Sequence, residues 1–322
     1  MSNRTLEAET RLYKTHREMF LQDLVDNVTH NKHMYVTVGQ ACPCGCLFCR
    51  NAQFKSELKI QNPERLIKVI KEYDQYFRTI TIGGGEPLLY LDLLRLLGPY
   101  LRLKSGRPNI ITCGLRDRFL ENEELIYLNF RKIYLTRLKA NDEENQLAFN
   151  TNTALLSASD IMGLKKELRR DIEFAVTCFK NGGVDSSEEL LEFVDWASSL
   201  GISKLLFNDL QRDVTALEFW ETRQIEDVVF EESISELKRR GFTLISEIVF
   251  SGGYTISSFE GDYYAANSQQ KMNIGFKKYH YDISETKDLW QTAKARAQDF
   301  SLMPNGDLFS DWTNRTHVPH SF

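Results

Sequence analysis

Apolar positions along the middle of the chain alternate between two periods. HMYVTVG, residues 33–39, is β-branched and alternating, and it predicts a strand. Asn62-Pro63-Glu64 then starts a helix, with Asn62 as N-cap, Pro63 in the first turn, and Leu66, Ile67, Val69 and Ile70 as its apolar face. RTITI, residues 78–82, reads as a short buried strand ending at Gly83-Gly84-Gly85. The pattern then repeats: helix 88–103, strand 109–113, helix 119–127, strand 131–136, helices across 142–168, strand 171–178 and helix 186–200. Strand 203–207, helix 223–240 and strand 242–249 continue it. Strands separated by helices imply parallel βαβ units. About six such units favour a partial barrel over an open doubly wound sheet.

The two ends read differently. Residues 4–26 are charge-rich, with Leu6, Leu12, Met19, Phe20 and Leu24 at helical spacing, so a leading helix is expected. Beyond residue 250, SGGYTISSFEGDYYAAN and KMNIGFKKYHYD look like antiparallel hairpins, and Asn305-Gly306 is a hairpin turn. His317 and His320 fall in a loose tail. The fold expected is α/β: a partial (β/α)6-type, TIM-like barrel with a β-rich C-terminal extension. It divides into a helical extension at 1–32, a core at 33–250, and a cap at 251–322 that contributes to the substrate pocket.

Composition narrows the function. The chain has 322 residues, 42% of them hydrophobic, enough for a core that needs no disulfide staples. The net charge of -5 supplies no global basic field, which disfavours nucleic acid. No apolar run is long enough for a membrane span, and the charged N-terminus, MSNRTLEAETRLYKTHREMF, has no signal-peptide core. A cytoplasmic protein with reduced thiols is expected, so clustered cysteines point to metal or redox chemistry.

Four of the six cysteines fall in QACPCGCLFCRN, residues 40–51. A zinc site is one reading, although zinc pairs normally have a second pair or histidines further along, and Cys113 and Cys178 stand alone. A dithiol motif would ignore Cys42 and Cys44, and a disulfide does not suit the cytosol. The remaining reading takes Cys42, Cys46 and Cys49, spaced C-x3-C-x2-C, as iron–sulfur ligands. Three ligands on a four-iron cluster leave one iron open to chemistry.

This loop, with Phe48 before its last cysteine, resembles the signature of the radical S-adenosylmethionine (SAM) superfamily. TITIGGGEPLL, residues 79–89, resembles the Gly-Gly-Glu-Pro segment of the same superfamily, on the next predicted strand. The resemblance implies a [4Fe–4S] cluster held by Cys42, Cys46 and Cys49, with SAM chelated at the open iron. It implies that Phe48 meets the adenine, and that Gly83, Gly84, Gly85 and Glu86 bind the SAM amino group, with Glu86 supplying a carboxylate. By strand order it puts Thr112 near the ribose, Arg137 on the SAM carboxylate and Thr177 at the barrel mouth. Asn208, Asp209, Glu260 and Asp311 are the candidates for substrate contact, and Cys44 is read as a bystander.

The implied activity is reductive cleavage of SAM to a 5′-deoxyadenosyl radical that abstracts hydrogen from a substrate. The electron would come from a low-potential donor such as flavodoxin or ferredoxin. No second cysteine set occurs near the C-terminus, and only about 32 residues precede the first strand, too few for a folded leader-peptide domain. Both features favour a small molecule, such as a nucleoside, sugar or amino acid. Modification of a ribosomally made peptide is the alternative, and a non-catalytic zinc or cluster-binding protein is the rival from another class.

Overall fold

Six strands of the predicted alternation pair in parallel and in chain order. They are β1 (Asn31–Thr37), β2 (Thr79–Gly83), β3 (Asn109–Thr112), β4 (Lys132–Arg137), β5 (Ile172–Cys178) and β6 (Lys204–Asp209). The computed structural model describes residues 31–49, 62–104, 107–210, 221–250, 254–265, 268–279, 296–304, 308–309 and 317–318. The predicted leading helix, the Asn305-Gly306 turn, Asp311 and His320 lie outside the described residues.

Helices cover the outside of this parallel arc. Helix Pro63–Tyr73 is capped as expected, the Arg65 amide donating to Asn62 Oδ1 at 3.0 Å, and it buries Leu66, Val69, Ile70 and Tyr73. The stretch read as helices across 142–168 forms three short ones, Asp142–Ala148, Ala158–Gly163 and Lys166–Asp171. Asn141 and Ser157 side chains accept backbone amides and restart the chain at two of these points.

Strand alternation separates the two faces of the wall. On β5, Ile172, Phe174, Val176 and Cys178 are buried beneath the helices, and Glu173, Ala175 and Thr177 take the other face. Phe174 stacks on Trp196 of helix Ser187–Ser199, with ring centroids 5.3 Å apart. Each fully buried side chain of this size contributes roughly 1.5–3 kcal/mol. The apolar face thus builds the outer core, and the mixed face is left for the barrel interior.

The C-terminal strands fill the gap in the arc. β7 (Thr243–Phe250), β8 (Tyr254–Ala265) and β9 (Ser268–Tyr279) form an antiparallel meander, and β9 lies parallel to β6. β10 (Arg296–Leu302) pairs in parallel with β7 on one side and β1 on the other, so pairing runs right round the ring. β11 (Leu308–Phe309) and β12 (His317–Val318) add antiparallel pairs beside β10. His317 therefore pairs with Phe309 in the sheet, where a loose tail was expected. No helix among the described residues is long and apolar enough to cross a membrane.

Candidate active site

The two sequence motifs meet at the carboxyl ends of β1 and β2. The Val38 amide donates to the Gly83 carbonyl at 3.0 Å, Gly85 to Gly39 at 2.8 Å, and Glu86 to Ala41 at 2.8 Å. The cysteine loop and the glycine turn are thus laced together by their backbones. The glycines are required by that contact. Gly84 has φ +134°, in the region that favours glycine, and a Cβ at Gly85 would collide with the Gln40 and Ala41 carbonyl oxygens.

The loop carries its sulfurs over a small apolar floor. Cys44, Cys46, Phe48 and Cys113 pack against Leu115, Phe149 and Phe179, and the Phe48 and Phe179 rings are 5.3 Å apart. Cys42 is exposed, whereas Cys44, Cys46 and Cys49 are half-buried. The Cys44 and Cys113 sulfurs are 3.7 Å apart, so the residue read as a bystander faces inward toward the end of β3. Contacts from Cys113, Cys42 and Cys46 hold the Cys44 thiol well below its ordinary pKa, and the Cys44 contact together with burial pushes Cys46 up. Among the described residues no three such side chains already converge as a metal site. The donor set nevertheless fits a cluster: closely spaced thiols on one short loop, beside a backbone cradle that any side chain would fill.

Glu86 does not present its carboxylate to this cradle. It is 1% exposed, and its oxygens accept from Leu88 N at 2.9 Å, Thr112 Oγ1 at 2.6 Å and Cys113 N at 2.8 Å. Burial raises its pKa. Its side chain fastens the glycine turn to the end of β3. Thr112 is corrected with it, because its hydroxyl is buried and committed to Glu86, not turned toward a ribose.

Arg137 is likewise absent from the mouth. The alternation of β4 puts it on the helix-facing side, 2% exposed, while Tyr134 and Thr136 face inward. Its guanidinium donates to the Leu156, Ala140 and Lys139 carbonyls and to Asp142, and lies 4.8 Å over the Trp196 ring. Such a committed fork ties strand to helices.

Asp209 also falls on the helix side of its strand, 5% exposed. Burial pushes its pKa up to about 7, opposed by the Tyr279 and Leu210 amides. Glu260 is at the wrong end of the barrel. β8 runs against the parallel strands, so Glu260 pairs with Asn273, which lies beside Lys204 at the start of β6, and forms an ion pair with Lys271 at 2.6 Å.

Inside the ring is a cavity of about 560 Å³. Phe48 lies at its mouth, and Thr81, Ile111, Thr136, Thr177 and Asn208 project from successive strands. Thr177 and Asn208 therefore stand in the lumen, in register on β5 and β6. At the opposite end His33 Nε2 is 2.9 Å from Thr81 Oγ1. Sequence reasoning missed the lumen residues of the C-terminal strands, Phe250, Tyr254, Ile256 and Lys277. The signal available was parity, since Met272, Ile274 and Phe276 are the apolar positions of β9 and Lys277 is out of phase with them.

Known structures share this fold. The chain is similar to the solved structure of Streptococcus suis SuiB bound to S-adenosylmethionine, with TM-score 0.59 and 13% identity, covering 98% of this chain and 69% of that one. SuiB bound to precursor peptide SuiA gives 0.58 and 13% identity, covering 94% and 64%. At this identity the likeness is one of fold. No curated protein matches the chain. The Radical SAM superfamily profile matches residues 36–225, a span that begins in β1, takes in the cysteine loop and the glycine turn, and continues past β6. With both motifs joined at the mouth of its parallel arc and more than half its length matched, the chain belongs to the radical SAM superfamily.

Proposed function

We propose that this enzyme cleaves SAM reductively and uses the resulting radical on a small molecule held in the barrel lumen. Members of the superfamily use a [4Fe–4S] cluster and SAM. In this reading Cys42, Cys46 and Cys49 hold the cluster, and the Gly84–Gly85 backbone and Phe48 receive SAM. Once bound and reduced by a low-potential donor, the cluster would supply the one electron that breaks the SAM C5′–S bond into methionine and a 5′-deoxyadenosyl radical. The chain's own task is to hold the target C–H bond near that radical and to exclude water and stray hydrogen donors.

One observation carries the reading: the hydrogen-bonded pair of motifs opens onto a walled cavity of about 560 Å³. That volume lies within the range of small-ligand pockets, on the order of 300–1,000 Å³. Strands wall its sides, and its small volume is what favours a small molecule over a peptide. A peptide substrate is the second reading, since SuiB has been solved with its precursor peptide and shares the fold.

Deuterium tracing separates the two. The reconstituted enzyme, SAM and reductant are incubated with low-mass and peptide fractions from cells grown in deuterated medium. Deuterium reaching 5′-deoxyadenosine from the low-mass fraction supports the small-molecule reading. Deuterium reaching it from the peptide fraction alone sinks that reading.

A further inference from the structure

Taking the lumen as the substrate chamber, as proposed above, the geometry points to a carboxylate-bearing substrate whose anionic group is received by Lys277. Not one aspartate or glutamate lines the described lumen, although the chain as a whole is acidic at -5. Its charged lining is cationic: Lys32 and Arg78 around one end, and Lys277 on the far wall.

Lys277 is placed for a ligand. Register puts Thr177, Asn208 and Lys277 side by side on β5, β6 and β9, near the carboxyl ends of those strands. The half-buried Lys277 ammonium lies 3.8 Å from the Tyr254 ring centroid and 4.9 Å from that of Tyr279. Phe250 stacks on Tyr254 at 4.4 Å. No carboxylate among the described residues forms an ion pair with Lys277. Ring faces steady an ammonium without using its N–H donors, so the donors stay available to an oxyanion. The Asn208 amide nitrogen is directed to the Leu206 and Val176 carbonyls, at 3.2 and 3.4 Å, leaving its oxygen as the acceptor on the lumen wall.

Two features assign this cation to substrate and its partner to a carboxylate. Around the ring β9 lies opposite β2, five strands away in either direction, so Lys277 is remote from the Gly83–Gly85 turn. Phosphate sites usually gather several backbone N–H groups at a glycine turn or helix start. The strand backbone beside Lys277 is committed to sheet pairing, and a single ammonium matches a monoanion.

The test uses reconstituted holoenzyme and three probes of one shape: benzoate, neutral benzamide and phenyl phosphate. Binding is read by ligand-observed NMR in the wild type, Lys277→Met and Lys277→Arg, with circular dichroism checking that each variant is folded. The expected result is saturable benzoate binding at least about tenfold tighter than benzamide, erased in Lys277→Met and kept in Lys277→Arg. Absent benzoate binding, equal binding of benzoate and benzamide, or a preference that survives in Lys277→Met overturns the proposal. Tighter binding of phenyl phosphate than of benzoate overturns the carboxylate assignment. None of these readings requires SAM turnover, so failure here and failure of the radical reading are told apart by measuring 5′-deoxyadenosine separately in the wild type.

Discussion

The Gly85 amide donates to the Gly39 carbonyl across 2.8 Å, and this contact makes one site of two motifs more than forty residues apart. A methyl group at residue 85 has no room, because carbonyl oxygens of the cysteine loop occupy its place. Gly85→Ala should therefore push the cysteine loop away from the turn. The expected outcome is a loss on the order of 1–3 kcal/mol in stability together with reduced iron loading. Thermal unfolding and iron analysis check it, and an unchanged midpoint with full iron would show that the contact is dispensable.

The cysteines should divide three to one. Alanine at Cys42, Cys46 or Cys49 is expected to abolish iron–sulfur loading, read as iron per chain and visible absorbance after anaerobic reconstitution. Cys44→Ala should keep the cluster, despite its sulfur lying 3.7 Å from that of Cys113. Loss of iron in Cys44→Ala would overturn the ligand assignment.

Glu86 should behave as a fastener. Glutamine cannot accept all three donors that the carboxylate takes from Leu88, Thr112 and Cys113. Glu86→Gln should lower the unfolding midpoint before any ligand is added, by about 1–3 kcal/mol in stability terms. A variant of wild-type stability with only weakened SAM binding would restore the ammonium-binding role first expected of this side chain.

Asp209 gives the fold a pH dependence. Burial raises its pKa to about 7, whereas an unfolded aspartate titrates near 4. The folded chain thus holds a proton that the unfolded chain releases, so this stabilising contribution is complete below about pH 4 and is lost as pH rises through about 7. Asp227 adds to the rise and Lys278 opposes it. Denaturant melts of wild type and Asp209→Asn at about pH 5.5 and 8 should show the variant gaining relative stability at the higher pH. Parallel curves would remove Asp209 as the cause.

How much of this could be read in advance followed from what fixes each residue. The helices and the parallel strands were legible because apolar period and caps are local, as at Asn62. The cysteine loop and glycine turn were legible because their chemistry demands residue types at set spacing. Arg137, Asp209 and Glu260 were chosen for their charge, and charge does not report which way a strand side chain points. Parity turned the first two toward the helices, and an antiparallel hairpin carried Glu260 to the far end. Lys277 needed the register of β9 against β6, which depends on tertiary pairing and not on any local pattern.

The central claim is tested most directly by one assay. The protein is reconstituted with iron and sulfide without oxygen, reduced in the presence of SAM, and the products are quantified together with bound metal. About four irons per chain, with 5′-deoxyadenosine and methionine formed in equal amounts, is the predicted result. Tightly bound zinc, with SAM left intact under reduction, would contradict it.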